Sequence, residues 1–248
     1  MNLGLIPARL KSSRLPNKPL LLLDGLPMII HTMKRAKLCK ELERVIICTD
    51  SDKIISIVRK YGGEAIKTKN NHINGTERIA EVAKKIKKNF KLIIDIQCDE
   101  VFLEPGNISK LIKFHKKNKD FDIIVPHTEI SAQNSRNVVK ILSNNSNKII
   151  YMSRFDIPFN FHKVKKRKLL RHMDIISFKP EILIKYANLK RSKLEKFENI
   201  ELLRSLENDF NIGTFLIKEK KSTFSINTRK EYFVAKKIMK DCKIRKLY

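Results

Sequence analysis

Short runs of apolar residues alternate with amphipathic stretches through the first half of this chain, and that alternation excludes most architectures. Leu3 to Ile6, Val45 to Cys48, Leu92 to Ile96 and Ile123 to Pro126 are apolar along almost their whole length. A strand covered on one face reads as alternating and a strand covered on both reads as continuous, so these four predict strands of a doubly covered sheet. Helical patterns separate them: about Met28 to Leu38, then about Lys53 to Tyr61, capped from Thr49-Asp50-Ser51-Asp52 and ended by Gly62-Gly63. A weak strand near Ala65 precedes a second cap at Asn74-Gly75-Thr76 and a helix spaced by Ile79, Val82, Ala83 and Ile86, and a further helix covers Ile108 to Lys116. The order predicts an α/β fold with a mostly parallel central sheet and helices on both faces, Rossmann-like in plan. Such sheets hold ligands beyond the carboxyl ends of their strands.

The rhythm changes after Pro126. Val138 to Leu142, Ile149 to Met152 and Ile175 to Phe178 read as antiparallel or edge strands, separated by the Asn-rich turn Ser143 to Asn147 and the basic loop Phe161 to Lys168. A helix from about Leu194 to Leu206, a strand from Ile212 to Ile217 and a helix from Lys230 to Met239 close the pattern. With 248 residues and no repeat or low-complexity linker, the expectation is one domain over 1–248 carrying an inserted arm at about 127–180. Arms of this kind pack on another subunit or cover a site. Cys39, Cys48, Cys98 and Cys242 form no CxxC pair, which favours reduced core thiols over disulfides or zinc ligands. No apolar run approaches the roughly 20 residues that cross a bilayer. Pro7 and Arg9 interrupt any secretory core, so a cytoplasmic address without membrane insertion is expected.

Charge is the most visible bulk property, with 53 Lys+Arg against 26 Asp+Glu and a formal net charge of +27. The lysines are spread over the solvent sides of helical patterns, and the denser clusters Lys163 to Arg171 and Lys236 to Lys246 lack the interleaved aromatics that base stacking requires. Nucleic acid is therefore not the expected principal ligand. The same field would steer a small anionic substrate.

The strongest local signal follows the first strand: Ile6-Pro7-Ala8-Arg9-Leu10-Lys11-Ser12-Ser13-Arg14-Leu15-Pro16-Asn17-Lys18-Pro19-Leu20. It sets Arg9, Arg14 and Lys18 among hydroxyl groups and three prolines at the carboxyl edge of the sheet, where cations can hold a triphosphate. It is neither a Walker loop nor a GxGxxG turn, because the glycines are missing. Asp99-Glu100, directly after the buried strand Leu92 to Ile96, is a second candidate for chemistry.

The loop resembles the signature of the 3-deoxy-manno-octulosonate cytidylyltransferases, or CMP-KDO synthetases, of the nucleotide-sugar transferase-like fold. Further strings match in the family's order: Cys48-Thr49-Asp50, Asn74-Gly75-Thr76-Glu77-Arg78, Ile96-Gln97-Cys98-Asp99-Glu100, Tyr151-Met152-Ser153-Arg154, Arg171-His172, Glu201-Leu202-Leu203-Arg204 and Ile226-Asn227-Thr228. The resemblance implies a magnesium-dependent homodimer that transfers CMP from CTP to the anomeric hydroxyl of 3-deoxy-manno-octulosonate (KDO), with release of pyrophosphate, for lipopolysaccharide and surface polysaccharide. By it, Arg9, Arg14 and Lys18 contact the CTP phosphates, Lys18 stabilises the leaving pyrophosphate, and Arg78 and Gln97 hold the nucleotide. Asp99 and Asn227 would hold the metal, and His172, Glu201 and Arg154 the sugar.

Four departures fall within these strings. The family's Gln-Gly-Asp-Glu-Pro stands here as Gln97-Cys98-Asp99-Glu100-Val101, its Leu-Glu-Gln-Leu-Arg as Ile200-Glu201-Leu202-Leu203-Arg204, its His-(apolar)-Gly as His172-Met173-Asp174 and its Val-Asp-Thr as Ile226-Asn227-Thr228. Asparagine keeps an oxygen but removes a negative metal ligand. These changes leave open a different acid sugar, an amino-octulosonate or a nonulosonate, and a non-catalytic nucleotide- or RNA-binding relative.

Overall fold

The computed structural model describes residues 1–11, 15–86, 89–131, 134–164, 167–218 and 225–248. Its first half runs β1 (Asn2–Ala8), a small hairpin of β2 (Leu22–Leu23) and β3 (Leu26–Pro27), α1 (Met28–Lys37), β4 (Arg44–Thr49), α2 (Asp52–Lys60), β5 (Glu64–Lys67), α3 (Gly75–Lys85), β6 (Leu92–Ile96), α4 (Pro105–Lys117) and β7 (Ile123–Ser131). The second half runs β8 (Lys140–Ser143), β9 (Ile149–Ser153), β10 (Lys168–His172), β11 (Ile175–Phe178), α5 (Pro180–Asn188), α6 (Lys193–Glu198), α7 (Leu203–Leu206), β12 (Ile212–Leu216) and α8 (Arg229–Lys240).

Ten strands share one sheet in the order β5-β4-β1-β6-β11-β7-β10-β8-β9, with β12 beside β7. The block β5-β4-β1-β6 is parallel, and so is β12 against β7. β11, β10, β8 and β9 pair antiparallel and continue the same sheet instead of forming a separate layer.

Successive side chains of a strand point to opposite faces, and the core divides accordingly. Ile6, Ile47 and Ile94 pack with Ile29 and Met33 of α1, Val58 of α2 and Leu111 of α4. Leu3, Leu5, Ile46 and Ile93 pack with Ile79 and Val82 of α3, Leu183 of α5 and Leu203 of α7. Helices thus cover both faces. A third, smaller cluster joins Leu15, Leu23, Met28, Val101, Phe102, Ile226 and, from α8, Ala235 and Met239. It binds the signature loop, the turn after β6 and the chain leading into α8 to one another, which is why residues far apart in sequence share one edge of the sheet.

Three elements depart from the sequence reading. The helix expected over Leu194 to Leu206 is two short helices, because Asn199 adopts a left-handed φ of 52° that ends α6. β10 starts at Lys168, the last residue of the stretch read as a basic loop, and α5, which the sequence reading did not include, opens with Pro180 at its first turn, where a missing N–H costs nothing. All four cysteines are free, two of them buried.

Candidate active site

At the carboxyl ends of β1 and β6 two adjoining cavities open, of about 510 and 420 Å3. Gln97, Asp99, Arg154, Asn199 and Glu201 line both and form the seam between them. Arg9, Lys18 and Arg78 line the larger cavity; Arg171, His172, Asp174 and Asn227 line the smaller. Arg14 lies outside the described residues.

Lys18 occupies the centre. Asn17 takes a left-handed φ of 54°, a conformation asparagine tolerates, and turns the chain into the single 3-10 turn Lys18–Leu20. The Lys18 ammonium then forms an ion pair with Asp99 and donates to Asn227 Oδ1 at 3.2 Å. The paired side chains are only 12% and 16% exposed. Three segments thus converge on one cationic point. Asp99 and Asn227 offer one charged and one neutral hard oxygen to the same cation, a pair that suits magnesium when phosphates and water complete the shell. Among the described residues no group of three or more His, Cys, Asp or Glu side chains could hold a metal by itself.

The seam is built from α3 and from the α6–α7 segment. Asn74 caps α3 by accepting from the Glu77 amide at 2.9 Å, and the backbone of Gly75 lies so near β1 that a Cβ there would meet Pro7 Cγ at 3.1 Å. Glu201 accepts from the Thr76 amide at 3.2 Å and hydroxyl at 2.6 Å, with the Gly75 amide at 3.4 Å. Its carboxylate therefore serves the helix N-terminus as well as the cavity wall. Arg78 is buried, 3.4 Å from Asp50, and donates to Thr68 and the Lys69 carbonyl. Gln97 donates to Asp95 at 3.1 Å, and Arg154 holds the carbonyls of Glu198 and Asn199 at 2.8 and 2.9 Å. Arg204, fully buried, grips both oxygens of Glu195 at 2.7 and 2.8 Å and reaches Glu77 at 2.9 Å. This ion-pair network braces the wall from behind.

Two groups carry roles that the spacing of motifs did not isolate. Asp95 points inward from β6; burial, and next the charge of Glu201, push its carboxyl well above the usual range. It sits one strand repeat before Gln97, on the same face, and fixes that amide. Ser225 Oγ lies 2.7 Å from Glu100 and 2.9 Å from Asp174. A hydroxyl has one proton to give, so both contacts are met together when Glu100 keeps its own proton. Burial and the charges of Asp174 and Asp99 push the Glu100 carboxyl up accordingly. Against its own burial, the hydrogen bond and charge of His172 and the charge of Arg171 hold Asp174 below the usual carboxylate range.

Arg9, Lys11 and Lys18 line the larger cavity at the first strand's end, with a second polar cavity alongside, in the crevice where α/β sheets hold their ligands. The profile of the family described as Cytidylyltransferase matches residues 3–221. A 3-deoxy-manno-octulosonate cytidylyltransferase of Fusobacterium nucleatum is 38% identical over 85% of this chain and 86% of that protein. One from Leptospira biflexa is 36% identical over 86% of this chain and 87% of its own length. A solved CMP:2-keto-3-deoxy-manno-octonic acid synthetase in complex with CTP superposes with a TM-score of 0.89 at 30% identity, covering 97% of this chain and 98% of that one. The chain belongs to the cytidylyltransferase family, in its 3-deoxy-manno-octulosonate branch.

Proposed function

We propose that the protein transfers CMP from CTP to the anomeric 2-hydroxyl of 3-deoxy-manno-octulosonate or a close 2-keto-3-deoxy acid sugar, with CTP in the larger cavity and the sugar in the smaller. The observation that carries the reading is the meeting of Lys18, Asp99 and Asn227 at the junction of the two cavities. The hydroxyl oxygen forms a bond to the α-phosphorus, the bond from that phosphorus to the bridging oxygen breaks, and the hydroxyl proton passes to water. Displacement at phosphorus is governed by alignment and charge, and both are supplied by fixed groups. Arg9 and Lys18 take the phosphates, Lys18 meeting the charge that grows on pyrophosphate, while Arg78 and Gln97 hold the nucleotide. His172, Arg154 and Glu201 shape the place of the sugar. Asp99 and Asn227 are the residues to hold magnesium, which when bound neutralises phosphate charge.

CTP and an acid sugar as substrates support a cytoplasmic address and a place in the supply of an activated sugar for surface polysaccharide. Phe155, Phe159 and Phe161 are exposed on the arm at about 127–180, and a second copy of the chain is the partner proposed to cover them. Pyrophosphate release from CTP, magnesium and 3-deoxy-manno-octulosonate tests the chemistry, and light scattering of the same sample tests the dimer. No release with any 2-keto-3-deoxy acid sugar, or a monomer mass, overturns the respective reading.

A further inference from the structure

We propose that the outward face of α8 docks on an anionic bilayer surface, with Phe233, Val234 and Ile238 entering the headgroup boundary and the lysines around them meeting lipid phosphates.

One side of α8 is spent on the domain. Ala235 and Met239 are fully buried in the small cluster with Leu23 and Val101, and Tyr232 donates its hydroxyl to the Leu22 carbonyl at 2.7 Å. A helix packed in this way is expected to be polar on its other side. This one instead carries Phe233, Val234 and Ile238 there, at 55%, 42% and 44% exposure. Positions three and four apart are neighbours on a helix. Val234 therefore adjoins Ile238, and both Lys230 and Lys237 adjoin Phe233 and Val234. The three apolar side chains make one strip with lysines within and beside it.

Charge selects the occupant. From Arg229 to Lys246 the sequence holds eight Lys and Arg residues against two acids, and one of those, Glu231, is turned onto the Asn227 and Thr228 amides at 2.7 and 2.8 Å. A second copy of the chain on the same strip would oppose lysine to lysine across a two-fold axis. A nucleic acid would satisfy the lysines and leave Val234 and Ile238 in water, since aliphatic groups have no face on which bases stack. An anionic bilayer satisfies both kinds of group: phosphates take the ammonium heads, the lysine stems lie along the strip, and the strip leaves water. Because the buried side keeps α8 packed on the domain, the contact is peripheral. α8 starts two residues after Asn227 and is 12 residues long, so the docked face joins the wall of the smaller cavity through a helix of about 18 Å.

The test is co-sedimentation of the full chain with phosphatidylglycerol–phosphatidylcholine vesicles and with phosphatidylcholine vesicles, at about 0.1 M salt. Binding to the anionic vesicles alone is expected. One basic residue near such a surface is worth about fivefold in affinity, so Lys237→Gln with Lys240→Gln should weaken binding about thirtyfold. Phe233→Ser should weaken it about five- to tenfold, the scale of half a phenylalanine removed from water. Lys53→Gln with Lys60→Gln on α2 takes the same charge from another face and should stay within about twofold of wild type, remote charges being screened. Cytidylyl transfer without vesicles is unchanged in every variant, which separates this inference from the reading of the active site. Equal binding to both kinds of vesicle overturns the proposal. An equal loss from the α2 pair, or unchanged binding in Phe233→Ser, also overturns it, because only the diffuse attraction of a surface with net charge +27 is then left. A smaller oligomer in Phe233→Ser by light scattering gives the strip to a second copy, and tighter binding to RNA than to anionic vesicles gives it to nucleic acid; either result overturns the proposal.

Discussion

Lys18→Met removes the ammonium but keeps most of the stem, and three consequences can be worked out. The partners differ in what they lose. Asp99 and Lys18 are 16% and 12% exposed, between the surface pairs worth at most about 1 kcal/mol and the buried pairs whose breakage costs about 3–5 kcal/mol. A loss of roughly 1–3 kcal/mol is expected, which a domain with about 5–15 kcal/mol of stability survives. Turnover should fall about 10²–10³-fold, the measured scale for deleting one preorganised donor at a developing negative charge. Metal affinity should move the opposite way. With a divalent metal held by Asp99 and Asn227 as proposed, removing a unit charge about 4 Å from it relieves about 2–8 kcal/mol of repulsion at effective dielectrics of about 80 to 20. Mn2+ titration by electron paramagnetic resonance, without CTP, should therefore show affinity rising about tenfold or more. The pairing of slower turnover with tighter metal is the signature. Turnover within threefold of wild type, or unaltered Mn2+ binding, refutes the placement of Lys18 between the two oxygens.

Asn227→Asp should also tighten Mn2+ about tenfold by restoring a second charge beside Asp99; an unchanged titration puts residue 227 outside the metal's reach. On acidification, burial keeps His31 and His115 neutral down to about 4, whereas an unfolded chain protonates them near 6.5. The unfolded state therefore binds more protons in that window, and stability present above about pH 6.5 is lost as pH falls, by roughly 3 kcal/mol per histidine near pH 4. Denaturant melts of wild type and His115→Gln at pH 7 and 4.5 should show the larger loss in wild type, and equal losses would contradict the burial.

The parallel half of the sheet was legible because its strands are covered on both sides and write themselves as continuous apolar runs; Leu92 to Ile96 is a strand at those same limits. β10 was hidden because Lys168 and Arg171-His172 make it look like the basic loop before it, although its pairing with β7 and β8 supplies the ladder. Periodicity alone carried the helix expected from Leu194 across Asn199, since Leu194, Phe197 and Ile200 keep helical spacing while the backbone reverses. The loop after β1 was readable as a candidate for chemistry because Arg9, Arg14 and Lys18 follow a buried strand directly among prolines. Asp95 and Ser225 were not, because an acid inside a strand and a lone serine acquire meaning only from the neighbours that folding brings: Gln97 two residues on, and Glu100 and Asp174 across the chain.

The seam between the cavities explains how one rigid scaffold can align two separate substrates. Three of the five shared wall residues are fastened from behind: Gln97 by Asp95, Glu201 by the N-terminus of α3, Arg154 by the carbonyls where α6 ends, with α6 itself held by Arg204 through Glu195. Displacement at phosphorus is sensitive to misplacement on the scale of about 1 Å. A wall fastened at four points from α3, α6, α7 and β6 holds the two cavities in one frame, and under the proposed assignment of CTP and sugar to them the alignment is made during folding rather than during binding.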